Sequence, residues 1–422
     1  MSAVPWSLLP DTATEGPAGE LLIGGCSTLD LAAQFGTPLF IYDEAHLRAR
    51  CRQARDAFGE GAVYASKAFL CLAMARLAHE ERMKIDVATG GEMFVALKAG
   101  VPGDRLVVHG NNKSEAEIDQ AAAAGAGRLV VDSFDELGRI RRVHDRTGHV
   151  FDVLLRITPG IEAHTHHYVA TGQDDSKFGF TLSTGAAAEA IAAARDQSGI
   201  RLRGIHLHIG SQVFLVDSFA AALAAVGGFV QAHAIEELSM GGGLGVAYVE
   251  GEEAPSIADF ARILQNAARE AGIDAALSVE PGRAIVAAAA ITIYTAGTIK
   301  DIPGVRKYVA VDGGMSDNPR PVLYGSGYET FLPRSVKADR SLEVRVVGKH
   351  CESGDVLVRE GFVPDDLRVG DLLATPVTGA YGHSMGSNYN KVPRPAVVFV
   401  GGGEARLVVS RETYDDLIRN DR

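Results

Sequence analysis

Cysteine is scarce and scattered in this sequence. Its 422 residues hold four, Cys26, Cys51, Cys71 and Cys351, and no two form a CxxC pair. That spacing indicates neither a zinc site nor a disulfide framework. Positive charge is in deficit as well: 41 Lys and Arg stand against 53 Asp and Glu, a formal charge of -12. Nucleic acid and anionic membrane surfaces ask for clustered Lys and Arg, so neither is expected as a partner. A small substrate is not excluded, since local charge in a site can oppose the net charge. No apolar run approaches a membrane span. The opening residues, Met1-Ser2-Ala3-Val4-Pro5-Trp6, show no basic region followed by an apolar core. No secretory signal is expected, and a reducing cytoplasm is the simplest compartment. Internal repeats and low-complexity linkers are missing too.

What is present is alternation. The length suggests two domains. From about residue 60 to 285, short apolar runs alternate with helical patterns. The expected strands are Val63–Ser66, Ile85–Ala88, Leu106–His109, Leu129–Asp132, Val153–Ile157, Gly204–His208, Glu237–Met240 and Leu277–Glu280. Between them, segments such as Leu72–Glu81, Phe134–Val143 and Ile257–Ala271 read as helices. Eight strands alternating with helices predict a parallel α/β fold, and the count favours a (β/α)8 TIM-type barrel over an open sheet. After about residue 290 the helical pattern fades and a β-rich region is expected. The strand candidate ending in Leu39-Phe40-Ile41-Tyr42 could pair with it. The expected domains are a barrel over 43–288 and a separate β-rich domain built from 1–42 plus 289–422.

Polar residues gather at the expected strand ends, where barrels of this type carry function. Lys67 follows the first strand, Asp86 lies on the second, and Asn111 and Asn112 follow the third. Arg156 is near the end of the fifth, His208 ends the sixth, Gly241-Gly242-Gly243 follow the seventh and Glu280 ends the eighth. Each has an ordinary structural reading. Lys67 is either solvated just past its strand or held in a site as an imine-forming amine. The glycines could be a tight turn, Glu280-Pro281-Gly282-Arg283 a turn, His208 a core histidine and Cys351 a small buried hydrophobe. Their joint occurrence points to one chemistry, that of pyridoxal 5'-phosphate. It needs a lysine amine in a partly desolvated pocket for the imine. It needs glycine amides for the phosphate, and an acid such as Glu280 to keep the pyridine nitrogen protonated.

With these residues assembled, the chain resembles the fold-type III pyridoxal-phosphate-dependent decarboxylases, the ornithine/diaminopimelate/arginine decarboxylase family with its alanine racemase-like barrel. Within them it is most similar to the diaminopimelate decarboxylases. The motifs are Tyr64-Ala65-Ser66-Lys67-Ala68, His109-Gly110-Asn111-Asn112-Lys113-Ser114, Ser176-Lys177-Phe178-Gly179, His208-Ile209-Gly210-Ser211-Gln212 and Glu280-Pro281-Gly282-Arg283. Further along come Asp317-Asn318-Pro319-Arg320-Pro321, Cys351-Glu352-Ser353-Gly354-Asp355, Gly379-Ala380-Tyr381 and Ser387-Asn388-Tyr389-Asn390. The resemblance implies decarboxylation of meso-2,6-diaminopimelate to L-lysine and CO2. It makes Lys67 the imine-forming lysine and Cys351 the proton donor. Asp86, His208, Ser211, Gly241, Gly242, Gly243, Glu280, Gly282, Arg283 and Tyr381 are expected around the cofactor, with His208 stacked on the ring. Arg283, Arg320, Tyr324, Glu352 and Tyr381 are expected to bind substrate. A homodimer with shared sites is implied, Cys351 and Glu352 coming from the other subunit.

Three rival readings remain open. One is a decarboxylase of ornithine, arginine or carboxynorspermidine; Arg320 as a fork for a distal carboxylate favours diaminopimelate. Another is a non-catalytic regulatory homologue, opposed by the presence of Lys67, Glu280, Cys351 and Tyr381. The third is a racemase, which would want a weaker electron sink than Glu280. The loop 164–180 is expected to be a lid. Its His164, His166 and His167 lack a carboxylate or cysteine to complete a metal site, so no metal is expected.

Overall fold

The computed structural model describes residues 2–160, 175–214 and 217–422. The chain divides into two compact units. The barrel unit is Arg50–Gly245 with Ala254–Ala284, and the β unit is Met1–Ala49, Val246–Glu253 and Ile285–Arg422.

Eight parallel strands form the barrel: β1 (Val63–Ala65), β2 (Lys84–Val87), β3 (Leu106–Val108), β4 (Arg128–Val131), β5 (Phe151–Thr158), β6 (Ile200–His206), β7 (Glu237–Ser239) and β8 (Ala276–Ser278). They pair in sequence order from β1 to β8. The ring is closed by a parallel bridge between Ala62 and Val279. There the Val63 N–H donates to Val279 O at 3.0 Å and the Val279 N–H to Gly61 O at 2.9 Å. Strands buried on both faces must be apolar throughout, as β3 is. Inside, Val63, Val107, Val130 and Leu154 pack together.

The strand-to-helix connections are short because the helix starts are written into the sequence. Thr89, Ser114, Ser133 and Ser256 each cap a helix through a backbone N–H three residues on, satisfying a donor that the helix cannot. Ser114 and Glu117 complete a capping box. The helices Glu115–Ala124 and Phe134–Thr147 stop at Gly125 and Gly148, both left-handed.

The β unit is built around β9 (Ala290–Ile302), which continues through β10 (Arg306–Val311), β11 (Leu342–Val347) and β12 (Val356–Val363). On its other flank the strand Leu39–Asp43 pairs antiparallel with β9 and parallel with β14 (Ala396–Gly401). β13 (Leu372–Pro376) also pairs with β9, and β15 (Glu404–Val409) with β14. Leu39, Ile41, Ile291, Ile293, Val398 and Val400 form the centre of its core. Among the elements not expected from sequence are the strand β12, the helix Thr28–Phe35, capped by Ser27, and the small sheet of Thr14–Glu15, Leu21–Ile23 and Cys26–Ser27. Among the described residues, no helix is long and apolar enough to cross a membrane.

Candidate active site

Lys67 sits in a 3-10 turn, Ser66–Ala68, directly after β1. Ser66 and Ala68 are buried while Lys67 is exposed. Of the two placements the sequence left open, the single chain shows the exposed one, just past the strand. Its cation still acts inward, lowering both Asp86 and His208. Asp86 is buried on β2, and burial raises its carboxyl to about 6 against the pull of His109.

Glu280 lies two residues beyond β8, buried, and three side chains converge on it. His206 Nε2 is 3.1 Å from Oε2. A carboxylate only accepts, so that nitrogen carries the proton. Ser239 Oγ donates to Oε1 at 3.0 Å, and His109 Nε2 makes an ion-pair contact with Oε1 at 3.3 Å. Burial alone would raise the Glu280 carboxyl, but His206 and His109 hold it well below the usual range. His206 is pushed down to about 4 by burial, so at neutral pH it is an uncharged donor. Burial also disfavours a charged His109, yet Asp86, 3.8 Å away, and Glu280 outweigh it and raise the ring. The two imidazoles meet edge to face, centroids 4.9 Å apart. The outcome is an ionised carboxylate held in a buried site.

His208 stands two residues past the end of β6, not on it, and is half-buried. Burial and the Lys67 charge push it well down, leaving a neutral ring suited to stacking. The glycine run follows β7, and its need for glycine is steric. A Cβ on Gly241 would meet Leu207 O at 2.4 Å, on Gly242 the Glu280 O at 2.3 Å, and on Gly243 the Gly210 O at 2.1 Å. A Cβ on Gly282 would also be crowded, 2.8 Å from Ala65 O. Arg283 donates to Ser211 Oγ at 3.0 Å. A narrow glycine cradle, a neutral imidazole, a lysine and an ionised buried acid on one barrel end fit pyridoxal phosphate.

Other motif residues have structural duties. Lys113 is buried against Glu136 at 2.7 Å. Arg156 lies 4.1 Å from the Phe178 ring and 3.7 Å from Asp132, which also accepts the Gly179 N–H. Residues 161–174, with His164, His166 and His167, lie outside the described residues, so the expected lid does too for most of its length.

The β unit holds the remaining expected residues. Arg320 opens the helix Arg320–Tyr324 and is buried. Its guanidinium lies 4.0 Å over the Tyr248 ring and donates to Tyr328 Oη at 2.5 Å, while its Nε has no protein partner. Tyr381, at φ 61°, is near enough to act on the Arg320 charge. Tyr324, half-buried, ends the same helix. Cys351 and Glu352 are exposed on the turn between β11 and β12.

Sequence reasoning gave no role to His206, Ser239 or His109. The available signal was a polar side chain inside an otherwise apolar buried strand or at its end, where burial demands a partner.

Residues 44–287 match the family described as pyridoxal-dependent decarboxylase, pyridoxal binding domain. The diaminopimelate decarboxylase of Mycobacterium tuberculosis is 45% identical over 97% of this chain and 96% of its own length. That of Bacillus subtilis is 44% identical over 98% of each. The crystal structure of diaminopimelate decarboxylase from M. jannaschii in complex with L-lysine superposes with a TM-score of 0.90, at 33% identity over 98% of each chain.

Proposed function

This chain belongs to the diaminopimelate decarboxylases, a branch of the pyridoxal-dependent decarboxylases, and from that premise we infer that it converts meso-2,6-diaminopimelate to L-lysine and CO2. The observation that carries the reading is Glu280, a buried carboxylate that accepts from His206 and Ser239 and makes an ion-pair contact with His109. When bound, pyridoxal phosphate supplies an electron sink for the pair left behind by CO2, and a protonated ring nitrogen deepens that sink.

The chain's own residues do the rest. Lys67 would supply the amine that holds the cofactor. Glu280 would accept a hydrogen bond from the protonated ring nitrogen. His208 would cover one ring face. Gly241–Gly243, Ser211, Gly282 and Tyr381 would hold the phosphate end, with Asp86 within reach of the Lys67 charge. Arg283, Arg320 and Tyr324 bind substrate carboxylate, and Glu352 reads the distal amine. The unpartnered Nε of Arg320 supports this reading, since a buried guanidinium is stabilised by a bidentate carboxylate. Cys351 returns a proton to the carbon that lost CO2. Cys351 and Glu352, exposed on a single chain, serve the site of a second copy in a homodimer. A cytoplasmic location agrees with four scattered cysteines that form no CxxC pair.

The test is a substrate panel on purified, cofactor-loaded protein, following CO2 and product. It holds meso-diaminopimelate, L-ornithine, L-arginine, L-lysine and carboxynorspermidine. Lysine formed from meso-diaminopimelate alone is expected. Turnover of ornithine or arginine instead would overturn the reading of Arg320. No turnover of any substrate with cofactor bound would favour a regulatory protein.

A further inference from the structure

The motif Ser387-Asn388-Tyr389-Asn390 has no part in the roles above, yet it is laid against the Cys351 turn. Asn390 Oδ1 accepts the backbone N–H of Cys351 at 3.1 Å. The Tyr389 ring lies along His350, centroids 5.3 Å apart and planes 32° from parallel. His350 Nε2 is 2.9 Å from Ser316 Oγ, and the Ser387 N–H reaches Ser316 O at 2.9 Å, so Ser316 ties the two segments together. On the motif's far side, Glu412 accepts from Asn388 Nδ2 at 2.6 Å and from the Arg394 N–H at 2.9 Å. Asp355 anchors the turn from below, taking the His350 N–H at 2.9 Å and the Met315 N–H at 2.6 Å. Residues on both sides of Cys351 are thus pinned, and at Cys351 itself the pin is Asn390.

Asn390 does this from φ 51°, ψ 25°. Asn tolerates that left-handed backbone better than most residues, but glycine adopts it with less strain. Backbone shape alone would therefore be served by glycine. What Asn adds is the side-chain carbonyl, and that carbonyl is the group on Cys351.

We propose that Asn390 is a positioning residue for Cys351: its side-chain carbonyl fixes the backbone of the Cys351-Glu352 turn and so the direction in which Sγ presents its proton. The proposal rests on reading Cys351 as the proton donor. Cys26, Cys51 and Cys71 are buried, so iodoacetamide entering the substrate site of the holoenzyme reports on Cys351.

Two variants separate side chain from backbone. Asn390→Gly keeps the left-handed conformation and discards the acceptor, whereas Asn390→Asp keeps both. The Gly variant is expected to lose roughly five- to tenfold in kcat, the size of one hydrogen bond, with KM little changed. Its Cys351 alkylation rate and the pH midpoint of that rate should shift. The Asp variant is expected to stay within about threefold of wild-type kcat, since the same acceptor is offered. Wild-type alkylation kinetics in Asn390→Gly overturn the proposal whatever its kcat, and so does an Asp variant as slow as the Gly variant. Wild-type kcat in Cys351→Ala would instead remove the proton-donor reading, leaving alkylation of Asn390→Gly to decide the positioning on its own.

Discussion

Replacing Glu280 with Gln keeps the outline of the side chain and removes its charge. The carboxylate receives Ser239 Oγ at 3.0 Å and His109 Nε2 at 3.3 Å on one oxygen, and His206 Nε2 at 3.1 Å on the other. An amide has one oxygen, so its NH2 must face a donor. At least one hydrogen bond to a charged acceptor is lost, costing roughly 1.5–3 kcal/mol, and a buried donor left facing a donor adds about 1–3 kcal/mol. We expect urea unfolding to show a stability loss of roughly 3 kcal/mol at neutral pH. The same change removes the anion proposed to pair with the ring nitrogen. If that anion acts mainly in the transition state, kcat falls about 10²–10³-fold, equivalent to roughly 3–4 kcal/mol, while KM moves little. His109 supplies an independent readout. Its imidazole is raised by Asp86 and Glu280 together, so NMR should find it titrating lower in the variant. A cofactor-loaded Glu280→Gln enzyme within about threefold of wild-type kcat would refute the role of Glu280 as partner of the electron sink. An unmoved His109 titration would refute the contact network itself.

Other outcomes follow from the same geometry. Lys67→Ala should abolish turnover and the visible absorbance of lysine-bound cofactor; normal activity would sink the assignment. Arg320→Met should cut kcat/KM for meso-diaminopimelate about 10²-fold or more, since a bidentate charged contact is lost, and an unchanged value would place carboxylate recognition elsewhere. Gly243→Ala puts a Cβ 2.1 Å from Gly210 O at φ 113°. Cofactor content and melting temperature should both fall, by about 2 kcal/mol or more of stability. His383 is pushed down to about 4 by burial and Arg394. The unfolded chain therefore binds the extra proton between pH 6.5 and 4, and stability drains as pH falls through that window, by up to about 3 kcal/mol. His383→Asn should lose less stability than wild type on acidification; equal pH slopes in urea titrations would contradict the shift.

The barrel was legible because a parallel strand covered on both faces can only be an apolar run. Seven of its eight strands were found within two residues at each end. The exception, β6, begins at Ile200 rather than Gly204, because Arg201 and Arg203 turn outward to Asp152 and hide the first half of the strand. The strand β12 went unseen for a related reason: Arg359-Glu360-Gly361 interrupts its apolar pattern, and its pairing with β11 shifts register. In the site, Lys67, the glycines and Glu280 announced themselves by residue type at strand ends. His206 and Ser239 did not. A lone histidine or serine in an apolar strand looks like ordinary core, and its partner is supplied only when β6, β7 and β8 come side by side. Asn390 was quoted within a motif, but its grip on Cys351 depends on a loop conformation that residue type does not specify.

The bridge between Ala62 and Val279 has a bearing on how the molecule is assembled. It is the seam at which the earliest and latest strands of the barrel meet, and Lys67 and Glu280 stand on its opposite lips. Joining them closes the longest loop in the barrel, a step whose entropic cost the chain meets with few local contacts in return. A ligand held by Lys67 on one lip and by Glu280 on the other, as proposed for the cofactor, would act as a clasp on that seam. Cofactor loading would then do more than arm the site: by binding only where both lips are joined, it would stabilise the closed barrel by mass action.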